Sequence, residues 1–120
     1  MSESLNRKPY DLEERTFLFA KDIRVFIKTL KMTVANIEDS KQVIRSSGSI
    51  GANYIEANEA LSKKDFKFRV KISRKEAKES VYWLRLIAET NNLSNQKKVK
   101  DLIQEATELK KILSVIIDKS

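Results

Sequence analysis

Residues 45–66 read RSSGSIGANYIEANEALSKKDF. Up to about Leu61 the spacing predicts a helix, yet Gly48 and Gly51 sit inside it. A glycine in a helix interior costs about 1 kcal/mol relative to alanine. Two of them, with Ser46, Ser47, Ser49, Ala52 and Ala57 nearby, require compensation, and close approach of another backbone supplies it. The stretch is therefore expected to be the central packing helix of a helical bundle. Its main row is Val43, Ser47, Ile50, Tyr54, Ala57 and Leu61, and a parallel row holds Ile44, Gly48, Gly51 and Ile55. The opposite side carries Arg45, Ser49, Ala52, Asn53 and Glu56.

Working outward, Asp11 and Glu14 have capping-box spacing. Leu12, Thr16, Phe19, Ile23, Phe26 and Leu30 then recur in steps of four and three, a helical core row. The expected elements are an N-terminal arm over 1–10 and, within one domain over 11–120, helices at about 11–31, 39–61, 63–90 and 95–118, the second starting near Asp39 or Ser40. Ser62 and Asp65 repeat the capping-box pattern, so the second turn should be very short and its helices antiparallel neighbours. Asn91 and Asn92 are expected to stop helix three through the left-handed conformation. Ser94 should cap helix four, whose row is Val99, Leu102, Ala106, Leu109, Leu113 and Ile116. The predicted fold is all-α, an antiparallel up-down-up-down four-helix bundle.

Helix three is predicted to have three sides. Phe66, Val70, Ser73, Ala77, Leu84 and Ala88 face the bundle. Phe68, Ile72, Trp83 and Leu86 form a second apolar stripe, costly to leave in water and so expected to be an oligomer interface. Lys63, Lys67, Lys71, Arg74, Lys78 and Arg85 form a cationic side. Residues 63–78 hold eight Lys or Arg against Asp65 and Glu76, which places +6 of the chain's net +7 in that segment. Such a strip suits a phosphate backbone, whose neutralisation releases counterions. Tyr82 is the one aromatic bordering it, and no DNA-reading motif is present.

The 120 residues contain no Cys and no His. Disulfides and thiol nucleophiles are therefore excluded, and the commonest general base and metal ligand are missing. Glu56, Glu59, Glu76 and Glu79 invite comparison with di-metal bundles, but those pair Glu with His. Salt bridges are the better reading, with Arg45, Asn53, Glu56, Arg69 and Glu76 as a polar network fixing register. No cofactor is expected, and no phosphate loop or nucleophile constellation is found. Without a membrane span or signal-peptide pattern, the expected location is the cytoplasm.

SSGSIGANYIEANEALSKKDF, followed by KISRKEAKESVYWLRLI, resembles the 23S rRNA intervening-sequence proteins, a bacterial four-helix-bundle family. The resemblance runs from Asp11 to Leu113. Its matching positions are Arg45, Ser49, Ile50, Asn53, Glu56, Phe66, Glu76, Ala77, Tyr82, Trp83 and Leu84. It implies a protein encoded in an insert of a large-subunit rRNA gene or standing free. A relative in diversity-generating retroelements looks like a barrel-shaped homopentamer that engages a reverse transcriptase and nucleic acid. By similarity this chain would be a homopentamer, and the family offers no catalytic residues to carry over. Ser73 and Arg74 depart from its apolar pattern there. The expected function is thus a non-enzymatic oligomer that binds RNA or DNA with little sequence preference and does not bind membranes. The alternative is a scaffold for a reverse transcriptase or a ribosome-associated partner, with a metal-dependent enzyme a distant third.

Overall fold

The computed structural model describes residues 11–93 and 96–120. The expected arm over 1–10 and the cap at Ser94 lie outside them. Four helices follow in order: α1 Leu12–Ile27, α2 Val34–Asn58, α3 Lys63–Thr90 and α4 Gln96–Asp118. Among the described residues there are no strands. Each helix packs on the next, and α4 returns to α1, so the four enclose one core. The body measures 45 × 33 × 19 Å.

The periodic rows become that core. Leu12, Thr16, Phe19, Ile23, Phe26 and Leu30 are all buried. They meet Val43, Ile50 and Ala57 of α2, Val70, Ala77, Leu84 and Ile87 of α3, and Val99, Leu102, Ala106, Leu109 and Leu113 of α4. The last turn of α4 buries Ile117, with Ile116 only partly covered. Leu61 does not extend the α2 row: the helix ends at Asn58 and Leu61 is 99% exposed in the link.

The most extensive contact is α2 on α3, and small side chains dominate it. Ser46, Ser47, Ser73, Ala77 and Ser80 are buried. Their hydroxyls are satisfied across or along the interface, as buried polar groups must be. The Ser46 and Ser80 Oγ atoms lie 2.8 Å apart, and Ser73 Oγ donates to the Ile50 carbonyl at 2.7 Å. Ser73 is thus accommodated by a backbone acceptor. The two glycines differ. A Cβ on Gly51 would stand 2.7 Å from Thr16 Oγ1 of α1, whereas one on Gly48 would meet only Arg24 Nη2 at 3.5 Å. Close approach accounts for Gly51 and not for Gly48.

Helix boundaries differ from expectation at the α1–α2 link. α1 ends at Ile27, and α2 starts at Val34 rather than near Asp39. Thr33 is its N-cap, extended, with its side chain accepting from the Asn36 N–H at 3.1 Å. The first turn inverts the usual pattern, which hides it from periodicity: Val34 and Ile37 are exposed while Asn36 is buried. Asn36 Nδ2 donates to Asn91 Oδ1 at 2.8 Å and Asn91 Nδ2 returns a bond to Asn36 Oδ1 at 2.9 Å. This amide pair clasps the start of α2 to the end of α3. Asn91 accordingly leaves the helix extended (φ −125°, ψ 150°), not left-handed, with its side chain also bonded to the Ile87 carbonyl. Ser62 caps α3 by accepting from the Asp65 N–H, and the acidic Asp65 in that first turn suits the helix dipole.

Candidate nucleic-acid interface

The third helix owes its sidedness to its two neighbours. Toward α2 its polar groups are engaged. Arg45 Nη2 bonds Glu76 Oε1 at 3.0 Å and Glu79 Oε1 at 3.1 Å. Arg69 Nη1 donates to Asn53 Oδ1 at 3.3 Å, and Asn53 Nδ2 donates to the Ser49 carbonyl at 2.9 Å. These form two separate half-buried links rather than one buried network. Glu56 is exposed in the last turns of α2, one turn beyond Asn53 on the same side of the helix, and neither link includes it.

Toward α4 the same helix is cationic. Lys71, Arg74, Lys75 and Lys78 line an open cleft of about 400 Å³, completed by Lys110 and Ser114 of α4. Arg74 Nη1 reaches Ser114 Oγ at 3.4 Å. No carboxylate lines this cleft. The acids flanking it in sequence are held elsewhere, Glu76 and Glu79 by Arg45, and Glu105 and Glu108 by Arg15 of α1. Glu105 binds Arg15 through two nitrogens, at 2.7 and 2.8 Å, and these bonds raise the Arg15 pKa.

The sequence-predicted cations therefore divide. Lys71, Arg74 and Lys78 converge on the cleft. Lys63 and Lys67 continue the strip toward the start of α3 without lining it. Arg85 lies beyond its other end, paired with Glu89 at 3.6 Å. Lys75, Lys110 and Ser114 are additions made by the fold. The α4 pair shows the i, i+4 spacing of one helix face, but its opposition to Arg74 depends on the register of two helices, which no local pattern reports.

The predicted apolar stripe is broken. At about 100° per residue, Lys75 and Glu79 fall in the same arc as Phe68, Ile72, Trp83 and Leu86. Phe68 is 60% exposed, Ile72 and Leu86 are half-buried, and Trp83 packs against the chain's own core. Trp83 also meets Tyr82 edge-on, ring centroids 5.0 Å apart. An exposed apolar surface also lies on the outside of α1 and α2. There Phe17, Ala20, Val25, Ala52 and Ile55 line an open groove of about 620 Å³ with Gly48 and Gly51. Phe17 is 61% exposed, and Val25 and Ile55 are also exposed.

Among the described residues, no three His, Cys, Asp or Glu side chains group as a metal site, and no helix is long and apolar enough to cross a membrane. Among the described residues the geometry defines an all-α arrangement of four helices, with a cationic cleft and an apolar groove on different sides. The chain belongs to the 23S rRNA-intervening sequence protein family, which matches residues 9–115. It is also similar to a crystal structure from Bacteroides thetaiotaomicron, a protein of unknown function from the S23 ribosomal protein family. That likeness has 35% sequence identity and a TM-score of 0.76, covering 88% of this chain and 96% of the other. No curated protein matches the sequence.

Proposed function

We propose that this protein is a non-enzymatic helical oligomer that binds RNA or DNA through phosphates, with little regard to sequence. The observation that carries the reading is the row of Lys and Arg along α3 whose neighbouring carboxylates are drawn away to Arg45 and Arg15. Cations left together without acids form a field that attracts a polyanion. The S23 ribosomal protein name of the similar structure accords with an RNA-linked role. Binding should fall linearly with the logarithm of salt concentration, by about 0.7 to 0.9 log units per neutralised phosphate for each log unit of salt. Mobility shifts with single- and double-stranded RNA and DNA across a salt series test it. Binding indifferent to salt, or no binding at low salt, refutes it.

A homopentamer is the assembly the family resemblance suggests. A ring of identical copies needs two unlike patches that meet head to tail. The α1–α2 groove and the exposed Phe68 side of α3 are two such patches. Light scattering on Phe17→Glu and Phe68→Glu tests this, since both side chains are exposed in the protomer and Trp83 is not. An oligomer unchanged by both substitutions removes these patches from the interface, and a wild-type monomer removes the ring. The groove also favours a second reading, a scaffold that binds a protein such as a reverse transcriptase. Co-purification that depends on Phe17 and not on the cleft lysines would select it.

A further inference from the structure

The cationic side is not an even strip but has a seat. Six side chains from two helices enclose the α3–α4 cleft, and five of them are cations. Its volume, about 400 Å³, is that of a small-ligand cleft, but its lining lacks the apolar majority such clefts usually have. Five like charges around one hollow repel one another and favour an anion between them. Arg74 is the α3 cation that reaches across to Ser114 of α4. Its contact with Ser114 uses one nitrogen and leaves the rest of its planar donor fork for a phosphate oxygen pair. Ser114 adds a neutral hydroxyl, able to donate to the same group. Lys110 approaches from α4, across the cleft from the α3 cations.

We infer that the α3–α4 cleft is a phosphate-group site, held by Arg74, Ser114 and Lys110 together with Lys71, Lys75 and Lys78. This rests on the nucleic-acid reading for its biological source, a phosphodiester of a bound strand, but not for its chemistry. It makes α4 part of the interface. Lys110 then matters more than its single charge within a net +7 implies.

The test compares two substitutions with the same change in net charge. Lys110→Glu reverses a charge in the cleft. Lys41→Glu reverses one on α2, at an exposed position paired with Glu38 at 3.5 Å. Fluorescence anisotropy with a labelled single-stranded RNA and DNA at low salt gives the affinities. A second titration uses sodium pyrophosphate and follows the Arg74 side-chain Nε–H signal by NMR. Thermal melts confirm that each variant folds. Lys110→Glu should weaken strand binding at least about tenfold and flatten the salt slope by about one, while Lys41→Glu changes the affinity less than about threefold. Lys110→Arg should retain binding. If Lys110→Glu and Lys41→Glu weaken the strand equally, the cleft is not the seat, although the nucleic-acid reading stands. If no strand binds but pyrophosphate shifts the Arg74 signal in the wild type and not in Lys110→Glu, the cleft site stands and the nucleic-acid reading falls. If neither ligand binds, both are overturned.

Discussion

Replacing each helical glycine of α2 by alanine should move stability in opposite directions. Neither residue has a positive φ, so conformational freedom is not what either supplies. In both cases alanine recovers a helix-propensity deficit of about 0.8–1.0 kcal/mol. At Gly48 the new methyl meets Arg24 Nη2 at 3.5 Å, an ordinary contact with the movable end of a long side chain. Gly48→Ala should therefore gain most of that propensity. At Gly51 the methyl would stand 2.7 Å from Thr16 Oγ1 and 3.2 Å from Thr16 Cβ. Thr16 is 1% exposed, and its hydroxyl donates to the Glu13 carbonyl at 2.9 Å. Relief requires turning Thr16, which gives up a hydrogen bond of about 1 kcal/mol, or moving α1 against α2, an overpacking cost of about 1–3 kcal/mol. The net result is a loss of roughly 1 kcal/mol for Gly51→Ala and a gap of about 2 kcal/mol between the two variants. For a chain of 120 residues, 1 kcal/mol moves Tm by about 3–6 °C. Urea and thermal melts followed by circular dichroism resolve that gap. The cause is checked by adding Thr16→Ala, which removes the clashing hydroxyl and should recover part of the loss, with a coupling of about 0.5–3 kcal/mol. Thr16→Ser keeps the hydroxyl and should not. If Gly51→Ala is as stabilising as Gly48→Ala, the helices are not held together at Gly51 and the reasoning fails.

Three further predictions concern the polar contacts. Asn36→Ala removes both bonds of the α2–α3 clasp, leaving Asn91 Oδ1 unpartnered while Asn91 Nδ2 keeps the Ile87 carbonyl, and should cost about 1–3 kcal/mol, with hydrogen exchange accelerated first near Thr33 and Thr90; uniform exchange across the chain would deny the clasp its local role. Glu76 has a side chain 8% exposed and Arg45 one 52% exposed. Arg45→Ala, which strands the buried carboxylate, should thus destabilise by about 1–3 kcal/mol, less than for a fully buried pair, and more than Glu79→Ala in the same urea melts. Glu108 is held below its ordinary pKa of 4.5, first by its bond from Gln104 and then by Arg15. A lowered folded pKa stabilises above the unfolded value and is lost as pH falls through the folded one. The effect should therefore be full above about pH 4.5, fade as pH falls below it, and be gone once pH is below the lowered folded value. Because Glu108 is 46% exposed, Gln104→Ala should remove only about 0.2–0.5 kcal/mol, seen as a flatter acid limb in stability against pH.

The parts of the fold that were legible in the sequence are those where one helix's own periodicity decides burial. The α1 row from Leu12 to Leu30 needs no partner to be recognised, because it is apolar at every step but Thr16. The first turn of α2 was not legible because its pattern is inverted. A buried asparagine among exposed Val34 and Ile37 reads as a loop until Asn91, 55 residues away, is known to complete its hydrogen bonds. The candidate site divides on the same line. Lys71, Arg74 and Lys78 are on one helix and could be found by spacing, whereas Lys110 and Ser114 belong to it only through the packing of α4 on α3. The apolar arc of α3 is legible only in part, for a related reason. Its spacing is regular, but Lys75 and Glu79 share the arc, and Trp83 reaches inward to the core. Helical periodicity gives the side on which a residue lies. It does not give how far a long side chain extends from that side, and for Trp83 that reach decides between surface and core.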